Sequence, residues 1–135
     1  MAEVDWETLR QAAIAASANS YSPYSKFPVG VAGFTDTGRL VSGANVENAS
    51  YGLTLCAECS MVSHLHATGG GRLVAAYCVD GNGDPLMPCG RCRQLLYVHG
   101  GPDLLIMTPE GVQTMAQILP QAFGPWDLQE RKSQR

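Results

Sequence analysis

Two cysteine pairs with the spacing C-x-x-C have the residue type and the spacing to bind a metal ion. Cys56 and Cys59 form the first pair, and Cys89 and Cys92 form the second. Cysteine thiolates are soft ligands that select zinc over magnesium or calcium. The alternative is that these cysteines are small core residues, but two such pairs in 135 residues are hard to obtain by accident. The sequence therefore predicts a zinc site.

Glu58 indicates what kind of zinc site this is. Four cysteine ligands make a closed structural site, whereas three leave one position for water. Glu58 lies inside the first pair, where it would only add repulsion to four thiolates but could act as general base and acid beside a water. It shares helical spacing with Met61, Val62 and Leu65, so it is predicted to face inward, where an unpaired carboxylate is costly. An ordinary first-turn carboxylate, favourable at a helix N-terminus, remains the alternative.

The separation of the two pairs also favours a catalytic site. Cys59 and Cys89 are 30 positions apart, whereas zinc ribbons separate their pairs by about 15–20 residues. Both pairs are predicted to begin helices, and a helix N-terminus favours thiolate over thiol. Two such termini directed at one metal ion would keep three thiolates deprotonated.

The elements that must position these residues alternate between helices and strands. Helices are predicted over 5–18, 56–68 and 89–98, and strands over 29–35, 40–44, 73–79, 104–107 and, as a short edge strand, 112–115. A last turn of helix or a loop is predicted over 118–123, and a frayed polar tail over 129–135. This order predicts a single α/β domain over 1–135, with three layers built on one mixed sheet.

Composition and charge limit the classes of function that are open to this chain. Hydrophobic residues make up 45% and charged residues 16% of the chain, which is typical of a globular domain. A net charge of −3 argues against a nucleic-acid partner. No apolar run reaches the ~18–20 residues that span a bilayer, and the first six residues do not resemble a signal peptide. We therefore expect a complete cytoplasmic protein that has no membrane or nucleic-acid partner.

The chain resembles the zinc-dependent cytidine deaminases, and within them the small homotetrameric type that acts on nucleosides. Cys56-Ala57-Glu58 followed by Pro88-Cys89-Gly90-Arg91-Cys92 matches the three-cysteine form of the zinc deaminase signature. Further matching segments cover nearly the whole chain: 22–25, 27–30, 45–48, 93–94 and 119–125. The fold that this resemblance implies is an α/β/α sandwich on a five-stranded mixed sheet.

The resemblance also implies roles for individual residues. Cys56, Cys89 and Cys92 would bind one Zn²⁺ per subunit, zinc-bound hydroxide would attack C4 of the pyrimidine, and Glu58 would shuttle protons. Substrate contacts would come from Phe27 on the ring, Asn45 and Glu47 on the ribose, the Ala57 backbone on the base, and Tyr51 and Phe123 at subunit junctions, with Tyr24 nearby. The reaction would convert cytidine or deoxycytidine, or both, to uridine or deoxyuridine in pyrimidine salvage and release ammonia.

One position departs from the family pattern. The family usually has Arg directly after the Glu of the first motif, where this chain has Cys59. We hypothesise that Arg91, inside the second pair, supplies the missing cation, although Arg91 pointing to solvent is an equal alternative. The substitution keeps open a zinc-stabilised, non-enzymatic module that Cys59 closes.

A related deaminase with another substrate is the third alternative. The substrate would be a nucleotide, an aminopyrimidine antibiotic or a base in a nucleic acid. Arg91 and Arg93 are the one basic pair available for a phosphate, and Glu47 would repel one. Cys78 is predicted to lie in the core, and His64, His66 and His99 are predicted to have surface or supporting roles.

Overall fold

A five-stranded mixed sheet forms the centre of the computed structural model, which describes the backbone of residues 3–133 and the side chains of residues 3–129. Its strands lie in the order β2-β1-β3-β4-β5. They are β1 (Gly30–Thr35), β2 (Leu40–Ala44), β3 (Leu73–Val79), β4 (Leu105–Thr108) and β5 (Gly111–Thr114). Strands β3 and β4 are parallel and all other neighbours are antiparallel. This confirms the predicted five-stranded mixed sheet.

Helices cover both faces of the sheet. They are α1 (Trp6–Ser17), α2 (Ala57–Ala67), α3 (Gly90–Gly100), α4 (Met115–Ile118) and α5 (Pro125–Ser133), with a 3₁₀ turn at Tyr51–Leu53. Helix α1 packs against β1 and β3, while α2 packs against β2 and β1 and also contacts α3. Val31 belongs to the apolar cluster on the α2 face and its neighbour Ala32 to the cluster on the α1 face, because successive strand residues point to opposite faces. The predicted three-layer α/β/α arrangement is therefore confirmed.

Two glycines bring helices into direct contact with strand backbones. A Cβ atom at Gly30 would lie 2.0 Å from the Ala13 carbonyl oxygen of α1. One at Gly43 would lie 2.4 Å from the Met61 nitrogen and 2.7 Å from the Ala57 carbonyl oxygen of α2. Any side chain at position 43 would therefore displace the first turns of α2, the helix that begins next to Cys56.

The end of the chain differs from the prediction of a loop or last turn over 118–123. Helix α4 begins earlier, at Met115, because Thr114 and Gln117 form a capping box that also ends β5 before Met115. Helix α5 then continues to Ser133, so the tail predicted to fray from residue 129 is helical as far as 133. Residues 134–135, the rest of that predicted tail, lie outside the described residues.

Local contacts explain the start of α5. The Gly124 amide donates to the Asp127 carboxylate at 2.8 Å, and Pro125 occupies the first helical position. The Trp126 ring packs edge-on against Tyr97 of α3, with 5.5 Å between the ring centroids. Within the described residues, none of the helices is long and apolar enough to cross a bilayer.

Candidate active site

The candidate site lies at the sheet end where β1 begins and β2 and β3 end. Gly30 pairs there with Ala44 and with Val79. The chain leaves β2 and β3 at this edge, and the loops that follow lead to the N-termini of α2 and α3. The loop after β3 folds back on that strand through the Leu86 amide, which donates to the Cys78 carbonyl at 2.9 Å.

Three cysteines meet where the two helices begin. Cys56 is the N-cap of α2, Cys89 is the N-cap of α3, and Cys92 lies in the first turn of α3. Their sulfur atoms all lie within 4.8 Å of one another. Both helix N-termini place unpaired N–H groups and positive partial charge beside these sulfurs, which stabilises thiolates.

The donor set fits zinc. Burial raises the pKa of the Cys56 and Cys92 thiols. Burial also opposes ionisation of Cys89, but hydrogen bonds from Cys92 and Cys56 outweigh it, so the pKa of Cys89 lies below its ordinary value. Three thiolates held this close together need a cation to compensate their charge, and a zinc ion that displaces the thiol protons supplies it. The structure therefore gathers the three residues that the sequence nominated as ligands.

Cys59 lies apart from this group. In the part of the chain that the structure describes, the only group of three or more close potential ligands consists of Cys56, Cys89 and Cys92. Cys59 instead contacts Arg91, whose Nη2 lies 3.9 Å from the Cys59 sulfur. This contact joins the first turn of α2 to the first turn of α3 and places Arg91 beside the residue that departs from the family pattern.

Glu58 is buried beside the thiols. Its side chain is 3% exposed and lines a cavity of about 180 Å³ together with Cys56, Cys89 and Cys78. Burial raises the pKa of the Glu58 carboxyl, and hydrogen bonds from its own backbone N–H and the Cys92 thiol only partly oppose this. A carboxyl group in this position can hold and release a proton nearer neutral pH than an exposed glutamate can.

The same cavity contains residues that the sequence argument did not nominate. Its remaining wall is mostly apolar and combines the nominated Asn45 and Ala57 with four residues that were not nominated, Val29, Thr54, Leu55 and Leu86. Cys78 is buried, as predicted for a core residue, but it also forms part of this wall. Strand periodicity indicates that Cys78 faces inward, but no local signal shows that the α2 face of β3 opens onto a cavity.

Arg93 has a structural contact that the sequence argument, which treated it as a motif residue and a cation available for a phosphate, did not predict. Its guanidinium donates to the Pro88 carbonyl at 2.9 Å and to the Ile118 carbonyl at 3.1 Å. It therefore links the residue just before Cys89 to the end of α4.

The side chains of Asn45 and Glu47 form hydrogen bonds with the chain segment that carries Phe27. The Asn45 amide accepts from the Val29 N–H and donates to the Phe27 carbonyl, both at 3.0 Å. The Glu47 carboxylate accepts from the Ser25 side chain and from the backbone N–H groups of Tyr24 and Ser25. These bonds, that of the Ser25 side chain first, lower the pKa of the Glu47 carboxyl and keep it ionised at neutral pH.

Three of the nominated aromatic residues are exposed. The exposed fraction is 50% for Phe27, 75% for Tyr51 and 53% for Phe123. Tyr51 contacts Tyr24 edge-on at a centroid distance of 6.3 Å, and the Phe123 carbonyl accepts from Gln94. In a single chain these rings therefore lie on the surface and do not line the cavity.

A family model described as the cytidine and deoxycytidylate deaminase zinc-binding region matches residues 4–108. The chain belongs to this family. The match spans the three clustered cysteines and Glu58, so the zinc-binding character of the family applies to the residues that the fold gathers.

Relatives within the deaminase family match over nearly the full chain. Cytidine deaminase of Mycobacterium tuberculosis is 59% identical over 128 residues, which cover 95% of this chain and 96% of that protein. The crystal structure of cytidine deaminase from Mycobacterium leprae has a TM-score of 0.87 and 78% identity, and it covers 88% of this chain and all of that one. That from M. tuberculosis has a TM-score of 0.88 and covers 90% of this chain and 99% of its own.

Proposed function

We propose that this chain hydrolyses cytidine and deoxycytidine to uridine and deoxyuridine, releases ammonia and thereby serves pyrimidine salvage. The observation that carries the proposal is the buried Glu58 carboxyl in the wall of a cavity that two of the three clustered thiols, Cys56 and Cys89, also line. Relatives named cytidine deaminase, which match along nearly the whole chain, support the choice of substrate.

Cys56, Cys89 and Cys92 hold the zinc ion in this proposal. Zinc held by these thiolates would supply Lewis acidity, which makes water a competent nucleophile near neutral pH. Three protein ligands leave a position open, as catalytic zinc sites require. The separation of Cys59 from the three-thiol group supports this open site over a closed site of four cysteines.

Glu58 moves the protons. As a carboxylate it accepts a proton from the attacking water and delivers it to N3 of the pyrimidine. It then takes the proton of the new C4 hydroxyl and gives it to the amine, which leaves as ammonia while C4 becomes a carbonyl. The raised pKa of the Glu58 carboxyl suits this cycle, because a group that both accepts and donates works best when its pKa lies near the working pH. The reaction balances as one nucleoside and one water giving one deaminated nucleoside and ammonia.

The nucleoside is held by groups around the cavity mouth. Ala57 lines the cavity as the first residue of α2, where backbone N–H groups have no partner within the helix, and it contacts the base. Phe27 packs on the pyrimidine ring. Asn45, which also lines the cavity, and Glu47, two residues further on, bind the ribose hydroxyls.

A free nucleoside suits the charges better than a nucleotide or a nucleic acid. Glu47 is an anion at neutral pH and would repel a phosphate attached to the sugar. The Arg91 guanidinium contacts Cys59, and Arg93 is bound to backbone carbonyls, so both cations already have partners. The net charge of −3 also opposes binding to nucleic acids and to anionic membranes.

The active unit is a homotetramer with sites at the subunit interfaces. Phe123 of one subunit reaches into a neighbour's site, and Tyr24 and Tyr51 lie near the junctions. Exposed large apolar side chains support this, because association would cover them; they include Tyr21, Tyr24, Phe27, Tyr51, Leu53, Leu55 and Phe123. We place the enzyme in the cytoplasm, where reducing conditions keep thiols available for a metal ion.

A substrate panel with metal analysis tests the proposal. Purified protein is assayed with cytidine, deoxycytidine, deoxycytidine monophosphate and cytosine in single-stranded DNA, while ammonia release and loss of cytosine absorbance are followed. We expect activity on the two nucleosides and one zinc per chain. Zinc without ammonia release from any substrate would favour a structural zinc module, and preference for the monophosphate would contradict the role of Glu47.

A further inference from the structure

Ser25 links Glu47 to Phe27 through its hydroxyl group. The Ser25 hydroxyl donates to the Glu47 carboxylate and accepts from the Phe27 N–H at 3.0 Å. The same carboxylate accepts from the backbone N–H groups of Tyr24 and Ser25, at 3.0 and 3.1 Å. One side-chain oxygen therefore stands between the proposed ribose-binding carboxylate and the proposed base-packing aromatic residue.

The backbone between Ser25 and Phe27 is strained. Lys26 has a φ of 59°, in the left-handed region that residues other than glycine seldom adopt. Such a conformation persists only when surrounding contacts hold it. The Lys26 N–H donates to the Ser22 carbonyl at 3.1 Å, and the bond from the Phe27 N–H to the Ser25 hydroxyl joins the two residues that flank Lys26.

Packing alone does not hold the Phe27 side chain, which is 50% exposed. Its backbone is held instead at both polar groups. The N–H donates to the Ser25 hydroxyl, and the carbonyl accepts from the Asn45 amide at 3.0 Å. These two bonds fix the backbone from which the Phe27 ring projects, and so limit the positions that the ring can reach.

We infer that Ser25 is a positioning residue, which sets the Phe27 ring for the substrate base by tying it to the anchored Glu47 carboxylate. This rests on the proposed function, in which Phe27 packs on the pyrimidine. Ser25 acts on the substrate through Phe27, and its hydroxyl does not take part in the chemical step. Loss of the hydroxyl therefore weakens substrate binding more than it slows the reaction of the bound substrate.

A matched pair of variants tests this role. Ser25→Ala should raise KM for cytidine about tenfold, with a smaller change in kcat, because it removes a hydrogen bond to a charged group and frees the loop. Ser22→Ala is the control, since that hydroxyl contacts Ser20 in the same loop, and it should leave both constants unchanged. Ser25→Thr keeps the hydroxyl and should restore most of the affinity.

A double-mutant cycle with Phe27→Ala shows whether Ser25 acts through the ring. In the Phe27→Ala background, Ser25→Ala should have little further effect on KM. Additive losses, or equal KM values for Ser25→Ala and Ser22→Ala in an active enzyme, would overturn the inference while the proposed function stands.

Hydrogen exchange tests the same contact without any substrate. The amide of Phe27 should exchange faster in Ser25→Ala than in wild type or Ser22→Ala, because its acceptor is removed. The amide of Tyr24 should also exchange faster, because the Glu47 carboxylate that accepts from it loses its bond to the Ser25 hydroxyl. Unchanged exchange at both amides would overturn the inference. If wild type deaminated no substrate, the proposed function would fail, and this measurement would still decide whether Ser25 holds Phe27.

Discussion

The Cys56 and Cys89 sulfurs lie 4.0 Å apart although the two residues are 33 positions apart in the chain. Each occupies the N-cap position of its own helix, and the two helices begin at the same end of the sheet. This proximity is what turns two separate sequence motifs into one donor set.

A pair of cysteine variants should distinguish a zinc ligand, Cys92, from Cys59, which does not bind the metal ion in the proposed site. Cys92→Ser should lose most of the zinc, because Cys92 is a member of the three-thiol group. Cys59→Ser should retain about one zinc per chain, since three protein ligands suffice for a catalytic site. Metal analysis of the two purified proteins checks this. Loss of zinc from Cys59→Ser would support the alternative of a closed site with four cysteine ligands.

Glu58→Gln should keep the fold and the zinc but lose activity. Gln has nearly the same shape, yet it cannot carry a proton, so we expect kcat to fall by at least about 10²–10⁴-fold. Steady-state kinetics and metal analysis on the same sample measure both quantities. Near-normal turnover with zinc bound would assign the proton transfers to another group.

Arg91 should compensate the negative charge of the thiolates through its place beside Cys59. We expect Arg91→Ala to lower kcat or move the pH optimum upward, because excess negative charge makes zinc a weaker Lewis acid. Cys59→Arg should partly rescue Arg91→Ala by placing the cation on α2 instead of α3. Kinetics of both single variants and the double variant measure the coupling, and an unaffected Arg91→Ala enzyme would refute the compensation.

Subunit mixing should reveal sites shared between chains. If Phe123 of one subunit completes the site of its neighbour, Phe123→Ala and Glu58→Gln should each lower activity when pure. Co-assembled oligomers of the two variants should regain activity, because some sites then combine an intact Glu58 with an intact Phe123. Light scattering should show a tetramer throughout, and activity no greater than the sum of the two parents would contradict shared sites.

The His66–His99 contact should make stability depend on pH. The His66 Nε2 lies 3.1 Å from the His99 Nδ1, and burial first, then His66, lowers the pKa of His99. The folded state therefore binds this proton less readily than the unfolded state, whose histidines titrate at about pH 6.5. The contribution is present above that pH and is lost as pH falls through the lower folded pKa.

Urea unfolding near neutral pH and at about pH 5 measures this effect. The free energy of unfolding should fall as the pH falls in wild type, and it should fall less in His99→Gln. Acid release of metal affects both proteins, so the difference between them gives the contribution of the histidine pair. His66→Gln should show an intermediate fall, since it removes only the second cause. Equal falls in all three proteins would mean that the histidine pair does not control this pH dependence.

Most helices and strands near the site could be predicted locally. The Asp5 cap of α1, the hairpin of β1 and β2, and the helices that begin at Cys56 and Cys89 all follow from caps, turns and periodicity over a few residues. Helix α5 was not predicted, because its sequence is polar and its Trp126 contact reaches α3, which is distant in sequence.

The nature of the site was predictable because zinc chemistry restricts residue types and spacing, and both can be read locally from Cys56, Glu58 and the second cysteine pair. Spacing alone does not determine which sulfurs meet, and only the tertiary structure excludes Cys59, which belongs to a pair by spacing but lies apart from the three-thiol group. That choice depends on how α2 packs on β2, where Gly43 admits the helix backbone. This contact joins residues that are far apart in the chain. Local sequence patterns therefore do not show which side of the first turn of α2 faces the metal site.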